Sequence, residues 1–430
     1  MASPSILELS QSVATNTSIF HDYLTAEGLP LPSHEPSIPP PPLNLPSEIA
    51  AARDAAIQAS YDLYELLIGP YGILLNGMFQ NSRMLALEFI HTHKIGQSLG
   101  QNNVTTFKDI AKSSNLDEDD TRRMLRLAMT NRIFREPEPG VVAHSAASHV
   151  LATNPFVAAW AGVATKENWP AFQRTTEALT KWPGSQDPLK TAFSLAHNFT
   201  DLPFVEWEKD PPRAKQFSNA MKFLNAGAQP EMILSAIDYP FSTKNKVTFI
   251  DVGGSHGVAA IALAEKHPQL SCIVQDFPNV IQGADAQLPE HLRGRVKYMA
   301  HDFWTEQVVK GADIYFFRWI FHDWSDEYAI RILRQTVPAL KEGARIIIND
   351  ACIPPPGVLT TKQEMDLRTV DILMKVFTNA KECEAGDWHA LFEKADSRFR
   401  FLGITTPPSA RDSIIQAEWC PAAESGSVIS

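Results

Sequence analysis

The sequence is poor in cysteine, which excludes two kinds of site. Its 430 residues include four cysteines, and their spacing matches neither a disulfide framework nor a zinc site. We therefore expect no disulfide, no metal site and a reducing compartment, the cytoplasm. His91 and His93 stand two residues apart on a predicted helix and point to different faces, so they do not form a metal-binding pair either. The four cysteines are Cys272, Cys352, Cys383 and Cys420.

A long apolar run and a surplus of positive charge are also absent. No uninterrupted apolar segment approaches the length of a membrane span, and the first residues lack the basic and apolar segments of a secretory signal. The 49 acidic residues outnumber the 38 basic ones, which gives a net charge of −11. Nucleic acids and anionic membranes bind to basic surfaces, so neither is an expected partner. A small neutral or cationic ligand suits this charge better.

Apolar residues and prolines, in contrast, are plentiful. With 44% hydrophobic residues, the chain can bury the cores of two or three domains. Prolines are dense in the segment 28–47, which is predicted to be an extended arm because proline fits neither a helix interior nor a strand ladder. The arm is expected to wrap over the protein surface, although a ligand for a proline-binding module is an alternative. We predict an N-terminal region over 1–220 and a second domain over 221–430.

The N-terminal region is predicted to be helical and to contain a winged helix. Its predicted helices lie at 85–99, 107–113 and 117–130, and a predicted pair of short strands follows at 133–135 and 140–143. Such modules often bind DNA, so a transcriptional regulator is a rival interpretation. The candidate recognition helix, however, opens with Asp117-Glu-Asp-Asp, where phosphates require cations. A role in dimerisation or as a substrate lid is therefore favoured.

From residue 247 onward, predicted strands and helices alternate. The strands are at 247–252, 272–276, 296–301, 312–319 and 344–350, and the helices are near 257–266, 326–340 and 386–395. This alternation predicts an α/β fold with a parallel, doubly wound sheet and with ligands at the carboxyl ends of its strands. Two last strands, at 399–405 and 414–419, are predicted to form a closing hairpin.

The strand at 247–252 leads into the turn Gly253-Gly-Ser-His-Gly257. Glycine lacks a Cβ, so backbone N–H groups in such a turn, before a helix N-terminus, can approach a nucleotide-like ligand closely. The next predicted strand ends in Asp276, at the distance typical of a carboxylate that binds ribose hydroxyls. The glycine spacing departs from the dinucleotide-binding motif. A purely structural turn that needs positive φ is therefore the alternative interpretation.

Further motifs follow this turn in a fixed order. They are Gln275-Asp-Phe-Pro-Asn-Val280, His301-Asp-Phe303, Phe317-Arg-Trp-Ile-Phe-His-Asp-Trp-Ser-Asp-Glu327, Ile348-Asn-Asp-Ala-Cys-Ile-Pro354 and Lys381-Glu382. Together with the turn they resemble the S-adenosylmethionine-dependent O-methyltransferases of the caffeic-acid and flavonoid type, in their fungal secondary-metabolism branch. The resemblance covers most of the chain. It implies a Rossmann-like class I methyltransferase domain, an N-terminal winged-helix dimerisation domain and a homodimer.

The resemblance also implies the cofactor, S-adenosylmethionine, and its binding residues. Gly253 and Gly254 would line the methionine end, and Asp276 would bind the ribose hydroxyls. Asp302 would accept a hydrogen bond from the adenine amino group, with Phe303 beside the ring. Arg318 stands where the plant enzymes usually have lysine, and Ser255-His256 replaces the family's Gly-Thr in the turn.

The same resemblance makes His322 the general base, flanked by Asp350 and Glu382. A phenol has a pKa near 10, and a neutral imidazole can accept its proton as the methyl group is transferred. The two carboxylates would hold one tautomer and stabilise the imidazolium. Asp350 replaces the commoner glutamate and is one methylene shorter, so it reaches less far toward His322. A structural interpretation of the motif is a helix start capped by Asp323 or Ser325.

Three apolar residues are candidates for substrate contacts. Phe217, Met221 and Leu224 fall at i, i+4 and i+7 of a predicted helix and share one face. Core packing is the favoured explanation of such a face, and a flat, apolar pocket wall is the functional interpretation. The predicted reaction is O-methylation of a hydroxyl on an aromatic or polyketide-like secondary metabolite. The alternative is a non-methylating enzyme on the same fold, such as a pericyclase or a decarboxylase.

Overall fold

A computed structural model of the chain describes residues 4–42, 45–100, 104–227, 234–244, 246–407 and 410–421. The chain divides into two units. One comprises Met1–Arg174, Asp201–Gly227 and Thr360–Lys362, and the other comprises Thr175–Thr200, Ala228–Leu359 and Gln363–Ser430. The sequence places a single boundary at residue 220. In the structure, the segment 175–200 belongs to the second unit although it precedes part of the first along the chain.

The first unit is built mainly from helices. Its longest helix, Ser47–Phe79, has Pro46 as its N-cap and is interrupted at Gly69, where φ is 65° and Pro70 follows. Asp117 caps a later helix by accepting hydrogen bonds from two backbone N–H groups. The helices are Ile6–Ala26, Ser47–Phe79, Asn81–Thr92, Phe107–Ser114, Glu118–Thr130, Ala146–Thr153, Pro155–Gly162, Trp169–Gln173, Pro203–Glu208 and Pro211–Gly227.

The winged-helix segment has a different strand pairing from the predicted one. Strand β1 (Val104–Thr106) pairs antiparallel with β2 (Val141–Ala143), whereas the predicted partner of β2 is 133–135. Phe134 has a φ of 66° and is buried, so this segment turns its ring into the core instead of forming a strand. Only Arg135 reaches β2, through an isolated bridge to Ala143.

The described part of the proline-rich arm contacts the first unit. The carbonyl of His34 accepts a hydrogen bond from the N–H of Ala146 at 2.8 Å. Glu35 forms an ion pair with Arg135 at 2.7 Å. These contacts agree with the expected wrap over the surface; residues 43 and 44 of the arm lie outside the described residues.

The second unit contains the predicted doubly wound sheet, which is confirmed. Its strands are β3 (Val247–Val252), β4 (Leu270–Asp276), β5 (Val296–Ala300), β6 (Ile314–Arg318), β7 (Arg345–Ile353), β8 (Cys383–Glu384), β9 (Phe399–Thr405) and β10 (Asp412–Trp419). The order is β5-β4-β3-β6-β7-β10-β9, with β8 beside β7. Strands β3 to β7 are parallel, and β10 runs antiparallel to β7 and β9. The direction of strand order changes between β3 and β6, which is where such sheets bind ligands.

The helices after β3 cover the sheet. They are Val258–Lys266, Pro278–Ile281, Asp326–Thr336, Thr361–Thr378 and Ala385–Ala395, and the shorter helices Thr175–Lys181 and Ala192–His197 precede them along the chain. The sequence does not predict Thr361–Thr378. Side chains from β3, β4, β6 and β7, such as Phe249, Val274, Phe316 and Ile347, are fully buried, as expected for a parallel sheet covered on both faces. Among the described residues, no helix is long and apolar enough to cross a membrane.

Candidate active site

The glycine turn after β3 needs glycine for steric reasons. Gly253 and Gly257 have φ values of 71° and 77°, a region that other residues rarely adopt. A Cβ on Gly254 would lie 2.5 Å from Cγ of Asp251, and a Cβ on Gly253 would lie 2.5 Å from Cδ1 of Ile320. The structural interpretation, a turn that needs positive φ, is therefore correct for Gly253 and Gly257, and Gly254 is needed because a side chain would collide with Asp251. It is compatible with ligand binding, because the same absence of side chains leaves the backbone open to a ligand.

Asp276, at the end of β4, is anchored beside this turn. Its Oδ2 accepts the N–H of Ser255 and its Oδ1 accepts the N–H of Phe277, both at 2.8 Å. Burial raises the pKa of the carboxyl, and these two N–H groups oppose that effect. Each carboxylate oxygen has a second lone pair. Asp276 thus keeps two acceptor sites suited to a pair of hydroxyl groups, such as those of a ribose.

Asp302 and Phe303 follow β5. Oδ1 of Asp302 accepts the N–H of Trp304 at 3.0 Å, which fixes the carboxylate and leaves acceptor capacity. Phe303 lies next to the glycine turn, since its Cε1 is 3.9 Å from the position of a Cβ on Gly253. Trp304 packs edge-on against Trp324 at 4.6 Å between ring centroids. The predicted adenine site is therefore bordered by aromatic rings.

Arg318 ends β6 with unused hydrogen-bond donors. Its Nε and Nη2 are buried and have no hydrogen-bond partner in the described part of the protein. Burial lowers the pKa of its guanidinium, and Asp412, Asp251 and Asp350 oppose this. Asp251 is buried one strand away, and burial raises its pKa to about 7 against the influence of Ala260 and Arg318. Buried donors without partners indicate a site where a polar ligand accepts their hydrogen bonds.

These residues fit the predicted cofactor. S-adenosylmethionine has a methionine end, a ribose diol and an adenine ring. The site offers an open backbone at the glycine turn for the first, the carboxylate of Asp276 for the second and the carboxylate of Asp302 beside aromatic rings for the third. The buried guanidinium of Arg318 adds polar donors. All stand at the carboxyl ends of β3 to β6, where the topology places a ligand. Gly253, Gly254, Asp276, Asp302, Phe303 and Arg318 are accordingly the residues that would hold it.

His322 lies on a short 3₁₀ turn, Phe321–Asp323, just after β6. The turn is held by two contacts: the N–H of Phe321 donates to Oδ2 of Asp350 at 3.1 Å, and the hydroxyl of Thr378 donates to the carbonyl of Asp323 at 2.6 Å. Trp319, which leads into the turn, has a φ of 53°. Such strain in a bulky residue persists only where the surroundings fix it. The backbone around His322 is therefore rigidly placed.

The predicted capping of the following helix is wrong in one respect. Ser325 occupies the N-cap position, but its side chain makes no capping hydrogen bond. Its hydroxyl donates to the carbonyl of Gln186, and the side chain of Gln186 accepts the N–H of Glu327 instead. The helix start thus leaves Asp323 and His322 available for other contacts.

His322 and Glu382 are directly paired. Nδ1 of His322 lies 3.1 Å from Oε1 of Glu382, whose side chain is fully buried, while the imidazole is 12% exposed. Asp323 lies on the other side of the ring, 3.8 Å from Nε2. Because Nδ1 is occupied, Nε2 is the nitrogen that can exchange a proton with a ligand.

Asp350 acts on His322 without a hydrogen bond. Its Oδ2 accepts from Phe321, and its Oδ1 is buried without a partner among the described residues. Burial raises the pKa of Asp350 to about 8, against the influence of His322. The shorter aspartate therefore holds the turn and contributes negative charge only to the extent that it is ionised, which grows as the pH approaches 8, while Glu382 alone orients the imidazole through a hydrogen bond.

The carboxylates make His322 an unusually strong base. Burial by itself lowers the pKa of the imidazole, but Asp350, Glu382 and Asp323 outweigh it and raise the pKa to about 10. Correspondingly, His322 and a neighbouring arginine lower the pKa of Glu382 against its burial. The sequence suggests a neutral imidazole, whereas the structure gives one that is protonated in the free protein at neutral pH.

The three predicted substrate residues all lie on the helix Pro211–Gly227 of the first unit. Phe217 and Met221 pack against a small apolar core of Ala159, Val163 and Ala220, and the ring of Phe217 is 4.2 Å from that of Trp207. Leu224 is half-buried. Core packing thus accounts for much of this face, and the contact with a substrate stays a prediction.

Sequence reasoning missed three polar residues of the site. Asp251 lies on β3, two residues before the glycine turn, and a carboxylate near the end of an apolar strand is a visible signal. Asp412 begins β10, Arg411 directly precedes it, and neither residue belongs to a motif. Arg411 lies 3.2 Å from Oε1 of Glu382, and Asp412 accepts the indole N–H of Trp319 at 2.7 Å. Only the antiparallel pairing of β10 with β7 brings them to the site.

Comparison with known proteins gives consistent results. Residues 181–398 match the family model of the O-methyltransferase domain. The chain is 36% identical over 432 residues to the O-methyltransferase pyvH of Aspergillus violaceofuscus, covering 97% of this chain and 100% of the relative. It is 34% identical over 420 residues to a chlorophenol O-methyltransferase of Trichoderma longibrachiatum, covering 96% and 90%.

Two solved structures share the fold. The complex of OxaC with S-adenosylhomocysteine and oxaline has a TM-score of 0.74 at 21% identity, covering 96% of this chain and 100% of that chain. A protein described as a pericyclic reaction enzyme has a TM-score of 0.70 at 22% identity, covering 95% and 100%. At these identities the likeness concerns the fold and does not distinguish between reactions.

Proposed function

This chain belongs to the O-methyltransferase family and uses S-adenosylmethionine, and we propose that it methylates a phenolic hydroxyl of an aromatic or polyketide-like metabolite with His322 as the general base. The observation that carries the proposal is the His322–Glu382 pair at 3.1 Å on a turn at the carboxyl end of β6. When bound, S-adenosylmethionine supplies a methyl group on a positively charged sulfur. The protein then has only to position the acceptor oxygen and remove its proton.

The carboxylates around His322 bring the pKa of its imidazole close to that of a phenol. The pKa of the imidazole, about 10, is close to the value of about 10 for an ordinary phenol. Neutral imidazole with phenol, and imidazolium with phenolate, contain the same number of protons and differ by one proton transfer across a hydrogen bond. Since the two pKa values are similar, this transfer costs little free energy. The three carboxylates favour the second state, in which the oxygen is the nucleophile.

A phenolic acceptor also agrees with a relative. The Trichoderma protein, 34% identical over most of both chains, is a chlorophenol O-methyltransferase by name. Chlorine withdraws electrons and makes a phenol more acidic, so such acceptors are ionised more easily. We infer that aromatic hydroxyls of ordinary or lowered pKa are accepted here and that aliphatic alcohols, which are far weaker acids, are not.

The proposal is tested by incubating the purified chain with S-adenosylmethionine labelled in its methyl group and a panel of phenols. The matched control for each phenol is its own methyl ether, which lacks the reacting hydroxyl. We expect label in the ether product, with one S-adenosylhomocysteine formed per product. A rearranged or decarboxylated product without label would instead favour the non-methylating alternative.

We further propose that the chain forms a homodimer through the helix after Gly69. Tyr71, Leu74, Leu75 and Met78 fall at i, i+3, i+4 and i+7 and are 83%, 70%, 51% and 70% exposed. An apolar stripe of this kind on a helix is normally covered by a partner. A second copy of the same stripe would cover it symmetrically.

The dimer is tested by light scattering after size exclusion. The wild-type chain should elute with about twice the monomer mass of 47.7 kDa, and Leu74→Glu with Met78→Glu should reduce this to one chain. Val308→Glu, at a position that is also exposed but in the other unit, should leave the mass unchanged. A wild-type protein that is monomeric at micromolar concentration would contradict the proposal.

A further inference from the structure

We propose that Arg411 is a positioning residue for methyl transfer: it fixes the carboxylate of Glu382 and weakens the hold of that carboxylate on the His322 proton. The inference rests on the proposed function, since it concerns the same general base. Arg411 belongs to none of the motifs that identify the family, and it reaches the site from the start of β10.

The geometry places two cationic groups on one oxygen. Oε1 of Glu382 lies 3.1 Å from Nδ1 of His322 and 3.2 Å from Nη2 of Arg411. The carboxylate is fully buried, whereas the arginine side chain is 48% exposed. Arg411 therefore extends from the surface to a buried acceptor that is already engaged by the imidazole. The other oxygen, Oε2, has no hydrogen-bond partner in the described chain.

The groups around this pair are mostly acidic. Asp323 shares the turn with His322, Asp350 lies on β7, and Asp371 accepts the N–H of Glu382 at 2.9 Å. Asp412 stands beside Arg411 and acts on Asp350. Among the described residues, the cations near these carboxylates are Arg318, Arg368, Lys381 and Arg411, and Arg368 is paired with Glu364 and Glu384. Arg318 is directed toward Trp319, and Lys381 pairs with Asp326 and Asp387, so Glu382 receives its direct ion pair from Arg411.

A cation on Oε1 lowers the pKa of His322 in two ways. It draws electron density from the oxygen that accepts the imidazole N–H, which makes that oxygen a weaker acceptor. Its positive charge also disfavours a second positive charge on the ring. Without Arg411, the imidazolium would be stabilised further by Glu382, and the base would lose its proton only at higher pH. A second effect is geometric, because the carboxylate would lose one of the two contacts that fix its rotamer.

The direct test follows the imidazole itself. In protein labelled with ¹⁵N-histidine, the resonances of His322 are identified by their loss in His322→Gln and are followed between about pH 6 and 11 in the presence of S-adenosylhomocysteine. Relative to wild type, Arg411→Gln should titrate at higher pH, and Arg411→Lys, which keeps the charge, should stay close to wild type. The matched control is Arg400→Gln, which removes an exposed arginine paired with Glu418 at the other end of β10 and should change nothing.

Kinetics give the second measurement. For Arg411→Gln, kcat/KM for the acceptor at pH 7 should fall by at most tenfold for each unit by which the His322 pKa rises, because the neutral imidazole becomes scarcer but is also a stronger base. The loss should diminish at higher pH, while the KM for S-adenosylmethionine stays constant. Arg411→Lys should recover most of the activity. A loss that is equal at every pH, with unchanged His322 titration, would mean that Arg411 is only structural and would overturn the proposal.

The two measurements also separate this inference from the proposed function. The NMR titration needs no acceptor, so an unchanged His322 titration in Arg411→Gln refutes the role of Arg411 even in an active enzyme. Conversely, a shifted titration in a protein that methylates no phenol supports the coupling and refutes the function. Should Arg411→Gln fail to fold, Arg411→Met keeps the apolar stem of the side chain and removes the same charge.

Discussion

Replacing His322 by alanine should lower kcat about 100- to 10,000-fold, the usual contribution of a general base, and leave the affinity for S-adenosylhomocysteine close to wild type. The residue stands on the turn after β6, and its Nε2 is the free nitrogen of a ring held by Glu382. Apart from Arg318, which ends β6 itself, the residues that would hold the cofactor lie at the ends of β3, β4 and β5. Loss of the imidazole should therefore remove proton transfer without disturbing cofactor binding.

The measurement is single-turnover methylation together with calorimetric titration of S-adenosylhomocysteine. His291→Ala is the matched control, because His291 is an exposed histidine of the same unit that pairs with Glu265. The deficit of His322→Ala should shrink for polychlorinated phenols, which ionise without help at neutral pH. Full activity of the variant on an unsubstituted phenol would show that the proton leaves by another route.

The pH dependence of the wild-type enzyme follows from the same cluster. Because the carboxylates raise the pKa of His322 to about 10, the neutral base is scarce below that pH and grows about tenfold per unit. With an unsubstituted phenol, kcat/KM should thus keep rising well above pH 6.5, where an ordinary histidine would level off. A plateau starting near pH 6.5 would indicate that Asp350 or Asp323 does not act on the ring.

Most of the fold of the second unit could be predicted from local sequence patterns. The strands β3 to β7 could be placed from short apolar runs, and the turn with Gly253 and Gly254 from the absence of side chains, because both depend on neighbouring residues only. The helix Thr361–Thr378 was missed, since its mixed sequence has no clear apolar stripe. The pairing of β1 with β2 was missed as well, because it joins residues almost forty positions apart.

The candidate site shows the same division. Asp276 follows from its distance to the glycine turn, but Glu382 stands 60 residues beyond His322 and was assigned through the family resemblance alone. The roles of Arg411 and Gln186 could not be predicted, because the sequence around an arginine or a glutamine in a loop does not indicate which residue it will contact. The protonation of His322 could not be foreseen either, since it depends on how many carboxylates the fold gathers around one ring.

Replacing Asp276 by alanine should have the opposite effect to loss of His322. Affinity for S-adenosylhomocysteine should fall by about 2–4 kcal/mol, or roughly 30- to 1,000-fold, because a charged acceptor for two hydroxyls is lost. At saturating cofactor, kcat should stay within a few-fold of wild type, since Asp276 touches neither His322 nor the acceptor oxygen.

Calorimetry with S-adenosylhomocysteine checks this result. Asp276→Asn keeps one acceptor oxygen and should lose less affinity than the alanine variant, while Asp285→Ala, an exposed carboxylate after β4, should lose none. Because burial raises the pKa of Asp276, the wild-type affinity should begin to weaken at a less acidic pH than an ordinary aspartate would cause. Undiminished affinity in Asp276→Ala would mean that the ribose binds elsewhere. If the His322→Ala and Asp276→Ala variants each lost both cofactor affinity and kcat to the same extent, cofactor binding and proton transfer would not be carried by separate residues.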